Sequence, residues 1–594
     1  MTGIPRPARS SDFWTTAVVI IAIATGVRWW VMQGTWFFFD DLHFIERAYQ
    51  RDLTWGYLLT PYNGHLMPSA TALTWLNTRL APLNYTLAMV QMTAGFALAV
   101  IGMLRLSVTL FGRRWGALVP VVLFAFSPFL IPATTWWAAA INQLPMLIAM
   151  TFGLAAFVRH LRAPSTRTLI AHLAWFALGI SFGERAVVAF GLAWLLALLY
   201  FAHGNLVERV TSLAASHRRT FVVHVVLVLA YVSAYLKWAA NFDLRQAATL
   251  PLFEVLRNLI WSAFGPATMG GPLGFETSRV TQQMANAPRP FLLISWLLLI
   301  GLGCLAWVRD RRSIKAWLIP GAVLILNGVL ISTSRAIYFG PELALDYRFQ
   351  TESALAFALA VGLAFLPVVG DVNRPDPAPG PVPTKAVAVG LIVVAVLSTI
   401  TASRYPLRDL GERSPRNYLR TVAAEAHRSP DTVLLNLQVP PWVWAPTAFP
   451  ANTYKRVFRP LDLPIAYGPP VTDQITVVDE QGKFVPADLN VVRRMLTFTP
   501  DACNPVGTAP VTFKLDGPVI GFGWFLRVEY TATVPGRLHL NVGDSDHTVK
   551  TKAGNHTVLV LTEGAYDSLT ASLPPASPAD PGFCIRRTEI GTAQ

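Results

Sequence analysis

A polytopic α-helical membrane protein with a β-rich domain after its last span is what this sequence predicts. Three observations carry that prediction. Of 594 residues, 53% are hydrophobic and only 14% charged, where a soluble chain holds roughly a quarter charged residues. Apolar runs of roughly 18–25 residues, the length that crosses about 30 Å of hydrocarbon, recur about eleven times before residue 404. Beyond it they stop, and short alternating segments punctuated by Pro and Gly take over, the pattern of strands and turns.

The runs fall near 13–33, 84–112, 115–132, 144–162, 167–183, 186–203, 221–240, 290–308, 315–334, 349–367 and 385–403. The first follows a short basic start, Arg6 and Arg9, and is long enough to be a retained helix rather than a cleaved signal. The loops between the runs then sort by charge. Arg113 and Arg114, then Arg159, Arg162 and Arg167, then Arg209, Arg218 and Arg219, then Arg309, Arg311 and Arg312 all leave the membrane on one side. The N-terminus and a Pro-rich linker at 370–385 share it, and the excess of arginine marks it as cytoplasmic. The opposite side receives 34–83, 133–143, the 184–185 corner, 241–289, 335–348 and everything after 404. The expected domains are therefore a transmembrane domain, 1–404, and a soluble extracytoplasmic domain, 405–594, in a multi-pass protein of the inner (plasma) membrane. Much of the net charge of +14 lies in these loop clusters, so no nucleic-acid partner is expected.

In the C-terminal part, "TVLLNLQV" (432–439), "RLHLNV" (537–542) and "HTVLVL" (556–561) alternate as half-buried strands do. Three cysteines are too few for a metal framework or a disulfide-dense scaffold. Cys503 and Cys584 lie on the oxidising side and are expected to bridge, whereas Cys304 sits within a span as an apolar core residue.

The segment "WFFFDDLHFIERAYQ" (36–50) places Asp40 and Asp41 at the membrane edge behind three phenylalanines. Ionisable groups held there mark a functional site by default. The alternative is that Asp40 caps the following helix and Asp41 supports its dipole. That helix is amphipathic, with Phe44, Ile45 and Tyr49 toward the interface and His43, Glu46 and Arg47 toward water or a cavity. A second polar knot, "TPYNGHLMPSA" (60–70), sets Asn63 and His65 either side of a glycine turn. Ionisable residues recur on the same side: Glu184 beside Arg185 in the tight corner, Arg335 opening the 335–348 loop, and Tyr347 and Arg348 closing it. As a plainer reading, Glu184 and Arg185 pair with each other, and Arg335 and Arg348 snorkel from helix ends.

Other polar and aromatic groups divide similarly. His172 and His224 read as packed, hydrogen-bonded histidines. Trp136 and Trp137, and "PPWVWAP" (440–446), suit either sugar stacking or belt and core positions. Apolar residues at 250, 252, 253, 256, 259 and 260 suit a helix lying on the membrane, either a fence for a lipid tail or a scaffold.

With these residues in place, the chain resembles the GT-C-type integral membrane glycosyltransferases. Those have many spans, an Asp or Asp-containing pair near the start of a large first outward loop, and often a soluble C-terminal domain. The Arg- and Ala-rich style is similar to the actinobacterial members that build arabinan, mannan and related envelope glycans. The resemblance implies a polyprenyl-phosphate sugar donor, an envelope glycan or glycolipid acceptor, and contact with membrane lipids. It implies that one of Asp40 and Asp41 takes the acceptor's proton, with Asp40 standing where the matching carboxylate usually stands. The other orients it, contacts a sugar hydroxyl, or helps hold a divalent cation at Asp40/Asp41; no other metal ligand is evident. The remaining site residues would be His43, His65, Glu184, Arg185, Arg335, Tyr347 and Arg348, the arginines because their planar fork binds two phosphate oxygens. Since the aspartates lie in a loop, Asp40→Asn and Asp41→Asn are both expected to fold normally.

The absences narrow the field. There is no G-x-x-x-x-G-K-[ST] phosphate loop, no H-E-x-x-H and no clustered Cys/His spacing. A transporter or lipid flippase is the first alternative, but it wants internal repeats and charges in mid-span, and here most charges sit at span ends. The second is a non-catalytic scaffold that binds envelope glycan through its soluble domain.

Overall fold

A computed structural model describes residues 10–238, 250–276, 283–372, 384–405, 413–468, 471–473, 476–496, 503–575 and 582–593. Most of the Pro-rich linker expected at 370–385, and residues 241–249 and 277–282 of the expected external loop, lie outside the described residues. The chain forms two compact units, Met1–Leu410 and Gly411–Gln594, divided close to the boundary expected at 404.

The first unit is helical. Its helices include α1 (Ser10–Met32), α2 (Asp40–Gln50), α3 (Pro68–Leu80), α4 (Tyr85–Phe111) and α5 (Leu118–Ala125). Then come α6 (Trp137–Arg162), α7 (Thr166–Phe182), α8 (Val188–Tyr200), α9 (Arg218–Trp238) and α10 (Leu252–Arg257). The unit closes with α11 (Arg289–Arg309), α12 (Leu318–Ser334), α13 (Thr351–Phe365) and α14 (Thr384–Ser403). Among the described residues, seven helices are long and apolar enough to cross a membrane by length and composition: α1, α4, α6, α9, α11, α14, and α12 with the turn before it. This is a multi-pass membrane protein. The other expected spans, near 115–132, 167–183, 186–203 and 349–367, are the shorter helices α5, α7, α8 and α13.

Every residue of α13 from Thr351 to Leu363 is buried, and its Ala-rich face lets neighbouring backbones close in. A Cβ on Gly362 would lie 2.8 Å from both Phe111 and Pro120. By contrast α9, α11 and α14 present Leu229, Leu297 and Val389 outward, as lipid-facing helices do. Cys304, expected in the core, is exposed on α11. The loop expected at 133–143 is mostly the start of α6, which accommodates Pro145 in its interior, as packed membrane helices can. Trp136 and Trp137 are consequently buried. The 250–260 stripe is divided: Leu252 and Phe253 are exposed while Leu259 is buried in protein. His172 and His224 are buried and hydrogen-bonded to each other, Nε2 to Nε2 at 3.0 Å.

The second unit begins with α15 (Pro415–Arg428) and a small mixed sheet. Two antiparallel sheets follow. One runs Val511–Val519, Tyr566–Ser572, Gly536–Val542, Ser545–Thr551; the other centres on Trp524–Ala532 between Gly554–Thr562 and Cys584–Ala593. Leu538, Leu540 and Leu569 of the first pack with Leu526, Val528, Val560 and Ile590 of the second in one core, which makes a sandwich. Cys503 and Cys584 are disulfide-bonded, their Cα atoms 5.3 Å apart. In the 440–446 segment Trp444 is buried and Trp442 packs edge-on against Tyr418, so this stretch belongs to the unit's packing.

Candidate functional site

Asp40 and Asp41 part company at the first turn of α2, because successive helical side chains point about 100° apart. Asp41 turns into the protein and is fully buried. Its Oδ2 accepts from the Phe38 backbone N–H at 2.8 Å, and its Oδ1 from the Ala138 N–H at 2.6 Å. Ala138 lies in the first turn of α6, so Asp41 satisfies one of that helix's orphan donors and sets a carboxyl at its positive end. Burial pushes the Asp41 carboxyl well up, against the two backbone hydrogen bonds; the adjacent Asp40 pushes it further in the same direction. Asp40 turns the other way. It is partly exposed, lines a cavity of about 120 Å³, and accepts a hydrogen bond from the Tyr62 hydroxyl at 2.5 Å. Phe39, just before it, has φ of 42°, a conformation that costs a non-glycine residue on the order of 1–3 kcal/mol.

The turn opposite Asp40 follows from two residues. Asn63 and Gly64 have φ of 48° and 80°, the signature of a type I′ turn, for which Asn-Gly is the preferred pair. Tyr62 and His65 exchange backbone hydrogen bonds across it at 3.0 and 2.8 Å. One side chain thereby reaches Asp40, the other the arginines. Burial, then the negative Asp40, raise the Tyr62 phenol, which keeps its proton and donates it.

Three guanidinium groups line the same cavity. Arg185, on the turn between α7 and α8, donates to the Arg348 and Phe349 carbonyls at 2.9 and 2.7 Å and to both oxygens of Glu352 at 2.7 Å. Glu352 is fully buried, so this pair is internal structure. Arg348 has its Nε 2.9 Å from Oδ2 of buried Asp346 and lies over the Trp136 and Phe349 rings at 5.2 and 4.8 Å. Arg335, at the end of α12, has no carboxylate ion-pair partner among the described residues. Its Nη2 meets His65 Nε2 at 2.8 Å and the Asn63 carbonyl at 3.2 Å. Burial and neighbouring Arg348 lower its basicity. His65 Nδ1 lies 2.6 Å from Glu184 Oε1. Burial works to raise the Glu184 carboxyl, but His65 and then Arg185 outweigh it and hold it low.

Asp40, His65, Glu184, Arg185, Arg335 and Arg348 thus meet around one cavity, built from loops the charge pattern assigns to one side. Three other candidates do not line it. Asp41 is the buried anchor of α6. His43 is half-buried behind the Tyr62 ring, 4.9 Å between centroids, and burial and Arg47 bring it down to about 4. Tyr347 is buried against Phe129. Glu46, expected toward water or a cavity, is buried too, while Phe44 and Ile45 pack inside the protein rather than in an interface. Tyr62, Asn142, Gln143 and Glu352 were not anticipated. Glu352 had an available signal, a carboxylate inside an apolar run. Asp41 Oδ1 and Oδ2 each accept from a backbone N–H, and Asp41 does not line the cavity with Asp40. No group of three His, Cys, Asp or Glu gathers among the described residues.

No family model matches the sequence, and no curated protein does. Among solved structures the chain is similar to the arabinofuranosyltransferase AftD from mycobacteria, at TM-score 0.40 and 11% identity, over 96% of this chain and 58% of that one. It is similar also to ArnT from Cupriavidus metallidurans, at TM-score 0.37 and 12% identity, over 77% of this chain and 86% of that one. The chain therefore spans less than two thirds of the length of the arabinofuranosyltransferase.

Proposed function

We propose that this chain is a membrane glycosyltransferase, moving a sugar from a polyprenyl-phosphate donor to an envelope glycan or glycolipid at the extracytoplasmic face of the inner membrane. The observation that carries the reading is the meeting of Asp40 with Arg335 and Arg348 around one cavity at the helix ends. Transfer from a lipid phosphate needs a base for the acceptor hydroxyl and cations for the departing phosphate. Asp40 is the base, held by Tyr62. Arg335, with no carboxylate to neutralise it among the described residues, takes the phosphate, and Arg348 adds charge from the opposite wall. Asp41 and the Arg185–Glu352 pair hold the walls in place. The N-terminus is cytoplasmic and the second unit extracytoplasmic, by the placement of the basic loops.

The test is transfer by the purified protein in nanodiscs, with a panel of polyprenyl-phosphate sugars and short envelope-glycan acceptors. Asp40→Asn is expected to lose about 10²–10⁴-fold of the rate, the usual contribution of a general base. A folded, monodisperse protein that transfers from no donor would refute the reading and turn attention to glycan binding by the second unit.

A further inference from the structure

Arg335 is held in an unusual way. Guanidinium nitrogens donate and do not accept, so the 2.8 Å contact with His65 Nε2 requires a lone pair on that nitrogen. The ring is then neutral with its proton on Nδ1, and that N–H donates to Glu184 at 2.6 Å. Three elements distant in sequence are joined through one imidazole: the 60–66 turn, the α7–α8 corner and the end of α12. Arg335 Nη2 has both its hydrogens placed, on His65 and the Asn63 carbonyl. Its Nε and Nη1 make no hydrogen bond among the described residues.

The charged and titratable groups facing His65 are few. Glu184 and Arg185 come from the corner, Arg335 from the end of α12, Arg348 from beyond it, Tyr62 from the same turn, and Asp40 lies past Tyr62. Tyr235 of α9 donates to the Gly64 carbonyl at 2.9 Å and holds the turn itself. Protonating Nε2 would put an N–H against a guanidinium and turn the contact repulsive.

We propose that His65 is a positioning residue: as the neutral Nδ1–H tautomer it couples Glu184 to Arg335 and fixes that guanidinium with Nε and Nη1 left for the anionic oxygens of a lipid phosphate. The phosphate part rests on the transferase reading; the tautomer and the coupling rest on geometry alone. Glutamine at 65 keeps an acceptor for Arg335 and cannot be protonated, so it separates placement of Arg335 from mere filling of space.

The experiment uses the full chain in nanodiscs with ¹⁵N-labelled histidine. Only 11 histidines are present, so the His65 signals are identified by their loss in His65→Gln. They are expected to report Nδ1–H and a bare Nε2, and in Arg335→Gln the Nε2 signal is expected to move as its hydrogen-bond partner is lost. Farnesyl phosphate is the binding probe. Its affinity is expected to fall about tenfold in His65→Ala, the scale of losing a hydrogen bond to a charged group. His65→Gln is expected to stay within about threefold of the wild type. An Nε2–H tautomer, or an Nε2 signal unmoved in Arg335→Gln, would overturn the coupling. Wild-type affinity in His65→Ala would overturn the positioning role. If the wild type binds no farnesyl phosphate while the tautomer and the Arg335→Gln shift are as expected, the coupling stands and the donor-phosphate reading fails.

Discussion

Asn substitution of the two adjacent aspartates should produce opposite failures. Asp41 accepts from Phe38 N–H and Ala138 N–H in a site with no solvent access. Asparagine keeps one acceptor oxygen and turns an NH₂ toward the other donor, leaving a buried N–H unpaired at about 1–3 kcal/mol. Removal of a carboxyl that burial already disfavours offsets part of this. Asp41→Ala strands both donors and should cost roughly 2–6 kcal/mol. Asp40 is partly exposed, and its one hydrogen bond, from Tyr62, is retained by an Asn oxygen. Asp40→Asn should therefore change stability by less than about 0.5 kcal/mol while raising the transfer barrier by about 3–5 kcal/mol.

Thermal unfolding in nanodiscs, followed by tryptophan fluorescence, together with transfer rates, separates the two. The pH dependence adds a sign. Because the folded Asp41 carboxyl lies above its unfolded value of about 3.9, its contribution favours folding most at acid pH and is lost as pH rises through the folded value. The gap between wild type and Asp41→Ala should accordingly widen on acidification. A melting point unchanged in Asp41→Asn with transfer abolished would refute the division of roles, as would undiminished transfer in Asp40→Asn.

Three further outcomes are expected. Arg185→Met leaves Glu352 buried and unpaired and should cost about 3–5 kcal/mol, most of it recovered in Arg185→Met/Glu352→Met; a double variant no more stable than the single would contradict this in the same melting assay. The Cys503–Cys584 bond closes a separation of 81 residues, so reduction or Cys584→Ser should destabilise the second unit by about 4.5 kcal/mol on the chain-entropy account, read as a lower melting point under reductant; a transition indifferent to reductant would argue against it. Glu184 is held below its ordinary 4.5, so its contribution is present above that pH and lost as pH falls below it. Glu184→Gln should be less stable at neutral pH, with the difference closing on acidification; a gap constant with pH would count against the His65–Glu184 contact.

Seven of the eleven expected spans, the β-rich second unit and the Asn63–Gly64 turn were readable from the chain, since each depends on local sums: apolar length, strand alternation, or the φ preference of two neighbours. The site was readable only in part. Asp40, His65, Glu184, Arg185, Arg335 and Arg348 stood out as ionisable groups at span ends, and the fold gathers them. Which aspartate faces the cavity was decided elsewhere. It depends on the phase at which α2 begins, and on an amide donor 97 residues away at Ala138. Likewise Arg185 is occupied because Glu352, 167 residues on, is buried beside it, and the first turn of α6 finds an acceptor in Asp41. Charge and hydropathy belong to a residue, whereas a partner belongs to the packing, and only the tertiary structure assigns partners.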